Sequence, residues 1–551
     1  VTRITAAIVV VMAIVVACTD SSHGPTRAEA GKTARPPRWF EASCNLPFRY
    51  LKRIDRGTLG RRSPDIQVVP DAPNFFGGFG PTSHSGPWAY LQRVPLVFYG
   101  PGFIEARGDV TLEREVSVAD LAPTVAELLG MEWPESRAGE SIAEILVPES
   151  ERSSAPRLIV IVAWDGGGWN VLNRYPRAWP HLASLMSEGS SVTNAIVGSS
   201  PSVTPSVHAS IGTGTFPSQH GIVDIPLRDH GRIFDSWAGR SPKYLRVPAL
   251  GDMWDQSTGG LALVGSLSYK AWHIGMIGHG AFYEGADADV AVITERKTGG
   301  TLATNPRYYR VPEYLDDVAG LEEAIRKVDV ADGQRDHTWL GNEILDDPVD
   351  VMKTPPWVLY QTRLIKRLVS GEGFGADQTA DIFATNYKQL DEAGHTWNMV
   401  EPEVRSVLSY TDTALGRLVE FIDAQVGPGG YVIVVTADHG QTPHPRTTGA
   451  WPINIEQMRK AVARRFRVDA DDLFAYERVT GFWLNAKALE RHDITKEEIS
   501  QFLMGHTIEA NNPAGQQIPA GYENRLNEPV FAAVFPTDRL PQLLRCAKAR
   551  Q

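Results

Sequence analysis

An α/β fold with a mostly parallel central sheet, helices on both of its faces and a cap built from insertions is what this sequence predicts. Three observations predict it: apolar, β-branched runs of strand length, amphipathic helical patterns between them, and two long stretches that break the alternation. The runs are Ile66–Val69, Val94–Tyr99, Leu158–Ala163, Ile382–Asn386 and Tyr431–Thr436. Ser117 can cap a helix that places Val118, Leu121, Val125, Leu128 and Leu129 on one face, and Gly130 closes it. A second helical pattern runs from Glu403 to about Val426, with Val407, Leu408, Ala414, Leu415, Leu418 and Ile422 as its stripe. Strands that alternate with helices form a parallel sheet covered on both sides. The stretches 226–375 and 446–540 are irregular, aromatic and charged, and they read as the insertions that cap the site. In such sheets ligands bind beyond the carboxyl ends of the strands, so the chemistry is sought there.

The bulk composition agrees. The chain has 551 residues, 42% hydrophobic and 22% charged, enough apolar material for a large core. A net charge of −11 argues against general nucleic-acid binding. Charge is uneven, with ten Lys/Arg against three Asp/Glu from Arg27 to Arg62. That reads as a solvated basic tail, the alternative being attraction to an anionic lipid surface.

The first residues read as a signal peptide, 1–17. Arg3 gives the positive start, and Ile4–Val16 is apolar but too short to span a bilayer. It ends in Val15-Val16-Ala17-Cys18, which resembles a bacterial lipobox. That implies lipidation of Cys18, a membrane anchor and a place outside the cell membrane; a plain signal peptide is the alternative. Residues 18–43 then read as a tether, rich in Ser, Pro, Gly and charge, and 44–551 as one catalytic domain. The other cysteines, Cys44 and Cys546, are free to pair in an oxidising compartment. No protein partner is inferable.

The chemistry-bearing residues cluster after the strands. Leu158–Ala163 leads into Trp164-Asp165-Gly166-Gly167-Gly168, where Asp165 suits either a metal ligand or a turn. Thr204-Pro205-Ser206-Val207-His208 places Thr204 where a helix N-cap belongs and Pro205 at the first helical position. Thr204 is thus a cap, or a hydroxyl held at a positive helix end to attack phosphorus. Ile382–Asn386 leads to Asp391-Glu392-Ala393-Gly394-His395, and Tyr431–Thr436 to Ala437-Asp438-His439-Gly440. Asp and His are zinc-type ligands. One such pair is ambiguous. Two pairs with Asp165 and Thr204, all beyond strand ends, point to a metal site.

The order Asp165, Thr204, Asp391/His395, Asp438/His439 resembles the alkaline phosphatase superfamily. It is most similar to the branch of nucleotide pyrophosphatases/phosphodiesterases and Thr-dependent phosphatases. The stretch Thr204–His220, the D-x-x-G-H of 391–395 and the A-D-H-G of 437–440 carry the likeness, which covers about 60–130 and 157–445. The family's third histidine usually follows A-D-H-G. Here the matching context lies at the other end, as Thr82-Ser83-His84-Ser85-Gly86-Pro87 before Val94–Gly102. A circular permutation accounts for that order. His444 and His506 are rivals for the ligand role without that context. A permutation also places the new chain ends side by side, so the resemblance implies a Cys44–Cys546 disulfide.

The resemblance implies a phosphoester hydrolase with two divalent metal ions, of the zinc type. Asp165, Asp438, His439 and Thr204 would hold one ion, and Asp391, His395 and His84 the other. Thr204 would be the nucleophile, through a phosphothreonine, on a small-molecule phosphoester. The family's usual phosphate-binding Asn is replaced by Ile225, which cannot donate a hydrogen bond, and Asp224 stands beside it. A carboxylate there repels a monoester more than a diester, which favours phosphodiesterase or nucleotide pyrophosphatase activity. A phosphomonoesterase and a non-catalytic zinc-binding lipoprotein are the alternatives. A sulfatase is excluded, because it needs Cys or Ser where Thr204 stands. A cytosolic mutase role conflicts with the signal peptide.

Overall fold

A computed structural model describes residues 36–80, 82–152, 154–280, 287–513 and 515–550. The signal peptide, Cys18 and most of the tether lie outside the described residues. Residues 37–551 form one compact unit.

The chain enters through α1 (Arg38–Cys44) and α2 (Phe48–Arg56), then β1 (Ile66–Pro70), β2 (Leu96–Tyr99), β3 (Gly108–Val110) and α3 (Leu121–Leu128). It continues through β4 (Leu158–Trp164), β5 (Ser190–Val192), α4 (Thr204–Thr213), α5 (Leu250–Thr258), β6 (Val264–Ser268) and β7 (Asp289–Glu295). Next come β8 (Thr301–Ala303), β9 (Tyr309–Arg310), α6 (Pro355–Glu372), β10 (Asp381–Tyr387), α7 (Gln389–Trp397), α8 (Pro402–Val426) and β11 (Tyr431–Thr436). Toward the end of the chain lie β12 (Phe474–Arg478), β13 (Gly481–Leu484), β14 (Phe531–Pro536) and α9 (Leu540–Ala549).

The ten-stranded central sheet has the order β8-β7-β6-β10-β4-β11-β2-β5-β3, with β9 beside β7. From β7 to β11 every pairing is parallel. β2 turns antiparallel against β11, and β8 does so against β7. Every residue of β4 is buried, the signature of a strand covered on both faces. Alternation along β4 divides its side chains between two cores. Ile159, Ile161 and Ala163 join the cluster under α3 and α4, while Leu158, Val160, Val162 and Trp164 join the one under α6 and α8.

β1, β12, β13 and β14 form a separate four-stranded antiparallel sheet with its own core. It draws on both ends of the chain. α1 and α9 pack there, and Cys44 and Cys546 form a disulfide with a Cα–Cα distance of 5.7 Å.

Three expectations change. The stretch 226–375 does more than cover a site, because β6 and β7 lie in the central sheet; Gly265, Ser266 and Ser268 interrupt the apolar run that would have marked β6. The tether ends before residue 43, since α1 is folded and its Trp39 is 5% exposed. The basic stretch from Arg38 onward is no solvated tail. Buried Arg53 donates to the Pro87 carbonyl at 2.5 Å, and Arg62 donates to the carbonyls of Gly221 and Tyr244 at 2.9 and 2.7 Å. These arginines bond backbone carbonyls inside the fold rather than a lipid surface.

Candidate active site

Three neighbouring parallel strands end level with one another. Trp164 of β4 is in register with Tyr387 of β10, and Ala163 with Thr436 of β11. Asp165, Lys388 and the pair Asp438–His439 therefore emerge side by side. Gly166 makes the close approach possible. Its φ is +72°, and a Cβ there would meet Cα and Cβ of Asp391 at 3.1 Å. The Gly166 N–H donates to Asp438 Oδ1 at 2.9 Å, and Gln441 Nε2 donates to the carbonyls of Gly166 and Leu390 at 3.1 Å each. These bonds brace the loops after β4, β10 and β11 against each other.

All seven expected ligands converge. His84 Nε2 lies 3.2 Å from Asp391 Oδ1, and its ring stacks on His439 at a centroid distance of 3.4 Å. His395 Nε2 is 3.5 Å from the same Asp391 oxygen. His439 Nε2 faces Asp438 Oδ2 at 3.2 Å, Asp165 Oδ1 at 3.6 Å and Asp391 Oδ1 at 3.9 Å. The rivals lie elsewhere. His444 caps the short helix Pro445–Thr448, and His506 bonds Asn511 in the core of the small sheet.

The donor set fits divalent metal ions. His84, Asp391 and His439 bring ligand atoms within 4.8 Å of one another, and so do Asp165, Asp438 and His439. Asp438 Oδ2 and His439 Nε2 are buried and face each other at 3.2 Å without a well-aligned hydrogen bond, a costly state that a bound cation relieves. His395 Nδ1 lies 2.8 Å from the Thr82 carbonyl, so the proton sits on Nδ1 and the Nε2 lone pair faces Asp391. Asn398 in turn holds Thr82, donating to its hydroxyl at 3.0 Å. Mixed nitrogen and carboxylate donors suit zinc-like ions.

Thr204 differs from the cap reading. It is the first residue of α4, and the N-cap is Val203, which provides no side-chain capping bond. The Thr204 hydroxyl accepts from Lys388 Nζ at 3.0 Å. The same ammonium donates to Asp165 Oδ1 at 2.8 Å and lies 2.6 Å from Asp391 Oδ2. Lys388 is 2% exposed, so a permanent positive charge sits buried between the two ligand groups. Burial opposes that charge, but Asp165, Asp391 and Asp438 outweigh it and hold the ammonium well above the ordinary lysine range. Burial, then the charges of Asp438 and Asp391, push Asp165 well up.

Sequence reasoning missed Lys388, His273 and Asn386. His273 Nε2 is 3.3 Å from Asp165 Oδ2 and accepts from Asn386 Nδ2 at 2.9 Å. His208, on α4 one turn after Thr204, bonds the Thr204 carbonyl through Nδ1 at 2.9 Å. Asp224, expected to repel a monoester, is buried with Arg478 at 3.7 Å, so its charge is partly compensated.

Comparison with known proteins agrees with this geometry. A protein of Myroides odoratus named a calcium-transporting ATPase is 22% identical over 407 residues, 64% of this chain and 73% of that protein. Alkaline phosphatase PafA of Elizabethkingia meningoseptica is 20% identical over 406 residues, 63% of this chain and 72% of that protein. The crystal structure of wild-type PafA aligns with a TM-score of 0.51 at 16% identity, over 69% of this chain and 84% of that one, a likeness of fold. A family model described as type I phosphodiesterase / nucleotide pyrophosphatase matches residues 159–546. Fold, donor set and family match define a metal-dependent phosphoester hydrolase of the alkaline phosphatase superfamily. Within it, the chain belongs to the type I phosphodiesterase / nucleotide pyrophosphatase family.

Proposed function

We propose that this enzyme hydrolyses phosphodiesters or pyrophosphates through Thr204 at a two-zinc site. The observation that carries the reading is the Thr204 hydroxyl, which stands at the start of its helix and is held by Lys388 in the ligand cluster. Asp165, Thr204, Asp438 and His439 would hold one ion and Asp391, His395 and His84 the other; bound there, the ions supply the positive charge that lowers the proton affinity of a hydroxyl and offsets charge on phosphoryl and leaving oxygens. Thr204 Oγ1 forms the new bond to phosphorus as the bond to the leaving oxygen breaks. Water then cleaves the phosphothreonine and restores the hydroxyl. Lys388 donates to Thr204 Oγ1, which stabilises that oxygen as its negative charge grows. Asn398, through Thr82, keeps His395 in one tautomer.

Phosphomonoester hydrolysis is the second reading. Two curated relatives are named alkaline phosphatases, and Arg478 weakens the repulsion expected from Asp224. Thr204→Ala, assayed on bis(p-nitrophenyl) phosphate and p-nitrophenyl phosphate with zinc analysis of the protein, tests both. Turnover falls about 10³-fold or more while most zinc is retained. Near-full activity of the variant would remove Thr204 as nucleophile. The preferred wild-type substrate separates diester from monoester.

The chain order and the anchor belong to the same proposal. A circular permutation rests on the sequence around His84, which precedes the other ligands, and is supported by the disulfide that joins residues near both ends. Lipidation at Cys18, and hence anchorage outside the cell membrane, rests on Val15-Val16-Ala17-Cys18. Mass analysis of the membrane fraction from the native host, with a lipid-modified Cys18 as the expected species, tests it.

A further inference from the structure

A second group of carboxylates lies at the far end of the central sheet. β7 runs parallel to β6, and through it to β10 and β4, so its first residue, Asp289, sits opposite the strand ends that carry the active site. Asp287 stands two residues earlier, and Asp255 comes from α5. One carboxylate oxygen from each of Asp255, Asp287 and Asp289 lies within 4.8 Å of the others.

Acidic clusters are common, and two facts set this one apart. Asp289 is 4% exposed and Asp255 2%, so this is no solvated face. Asp289 Oδ2 is also buried with no hydrogen-bond partner. A buried ionised carboxylate is tolerated only with a proton or a cation. Arg310 offsets only part of the negative charge around Asp289, and Asp255 has a further partner of its own. Asp252 adds a further negative charge nearby but is committed. It accepts from the Ala249 N–H at 2.7 Å and the His279 N–H at 2.6 Å, and its Oδ2 pairs with His279 Nδ1 at 2.8 Å. Burial, then the charges of Asp252, Asp255 and Asp287, push the Asp289 carboxyl well above its ordinary range.

We propose that Asp255, Asp287 and Asp289 form a calcium site that ties α5 to the start of β7. The all-carboxylate set selects a hard cation over zinc-like ions. Calcium tolerates an irregular shell and bidentate carboxylates, whereas magnesium demands near-octahedral geometry. Exposed Asp287 leaves one side open to water. The ion stiffens the outer part of the sheet, where β7 carries β8 and β9.

The test is calorimetric titration of calcium chloride into full-length enzyme saturated with zinc, so that the active site does not compete. Wild type takes up one calcium per chain, and calcium raises its melting temperature. Asp289→Asn weakens calcium binding at least tenfold and loses the thermal shift. In calcium-free buffer the variant melts at or above the wild-type temperature, because it removes one of several crowded like charges, and that also shows it is folded. If Asp289→Asn does not fold, Asp287→Asn on the exposed side gives the same comparison. No calcium uptake by the zinc-saturated wild type at millimolar calcium overturns the proposal, as does binding unchanged in both variants. Magnesium binding as tightly as calcium overturns the choice of ion.

Discussion

Removing the buried charge of Lys388 should destabilise the metal-free enzyme far more than the metal-loaded one. The ammonium lies 2.6 Å from Asp391 Oδ2 and 2.8 Å from Asp165 Oδ1, with 2% of the residue exposed. At an effective dielectric of about 20, the Asp391 contact is worth roughly 6 kcal/mol of Coulomb attraction, and the Asp165 contact less, because that carboxyl is pushed up toward its neutral form. Desolvating the ammonium cancels several kcal/mol of that sum, and deleting one partner of such a buried pair costs about 3–5 kcal/mol. Lys388→Met keeps most of the side-chain volume and leaves the carboxylates without their cation. In chelator, its melting temperature should fall by roughly 3–5 °C, taking an unfolding entropy of about 1 kcal/mol/K for a chain this long. Saturating zinc restores positive charge to the same carboxylates, so the deficit should shrink by at least half. By linkage the variant then binds zinc more tightly than wild type, which a competition titration with a chromogenic chelator reads directly. An equal deficit with and without zinc would refute the reasoning, because Lys388 would then act only through packing. No deficit in chelator would refute it as well.

Other consequences are separable. Asp391→Asn should lower bound metal to about one equivalent or less per chain by elemental analysis, since Asp391 faces both His84 and His395. Cys44→Ser with Cys546→Ser should cost between about 3 and 6 kcal/mol of stability in denaturant titrations, because the bridge closes a sequence separation of 502 residues; the unreduced, denatured wild type should show no free thiol from this pair. His220, fully buried, is lowered by burial to about 3. The unfolded chain therefore takes up a proton near pH 6.5 that the folded chain refuses, so stability is lost as pH falls from about 6.5 toward 3. The loss is about 2 kcal/mol by pH 5, and the slope of stability against pH should flatten in a folded His220→Gln variant.

The parallel strands were legible because burial on both faces leaves unbroken β-branched runs. Leu158–Trp164, Asp381–Tyr387 and Tyr431–Thr436 stand within a residue of their expected bounds. β6 was hidden for the opposite reason. It is shielded by β7 and β10 on either side, so Gly265, Ser266 and Ser268 suffice to fill it, and no apolar run marks it. The small sheet was only half visible. β1 reads as a strand, but its partner β14 lies more than 400 residues along, a pairing that no local pattern encodes.

The site shows the same division between what repeats locally and what only register brings together. Asp165, the Asp391/His395 pair and the Asp438/His439 pair were readable because acid and imidazole side chains stand directly after recognisable strands. His84 was readable only through the sequence around it. Lys388 carried a signal of the same kind as Asp165, since each is the first residue after its strand and the two strands end in register at Trp164 and Tyr387. A search for ligands passes over lysine because an ammonium cannot bind a metal. Yet a cluster of buried carboxylates creates a demand for positive charge that any cation can meet, and the strand register decides which side chains are near enough to meet it. In this enzyme the chain supplies one such cation itself, in contact with the hydroxyl of Thr204.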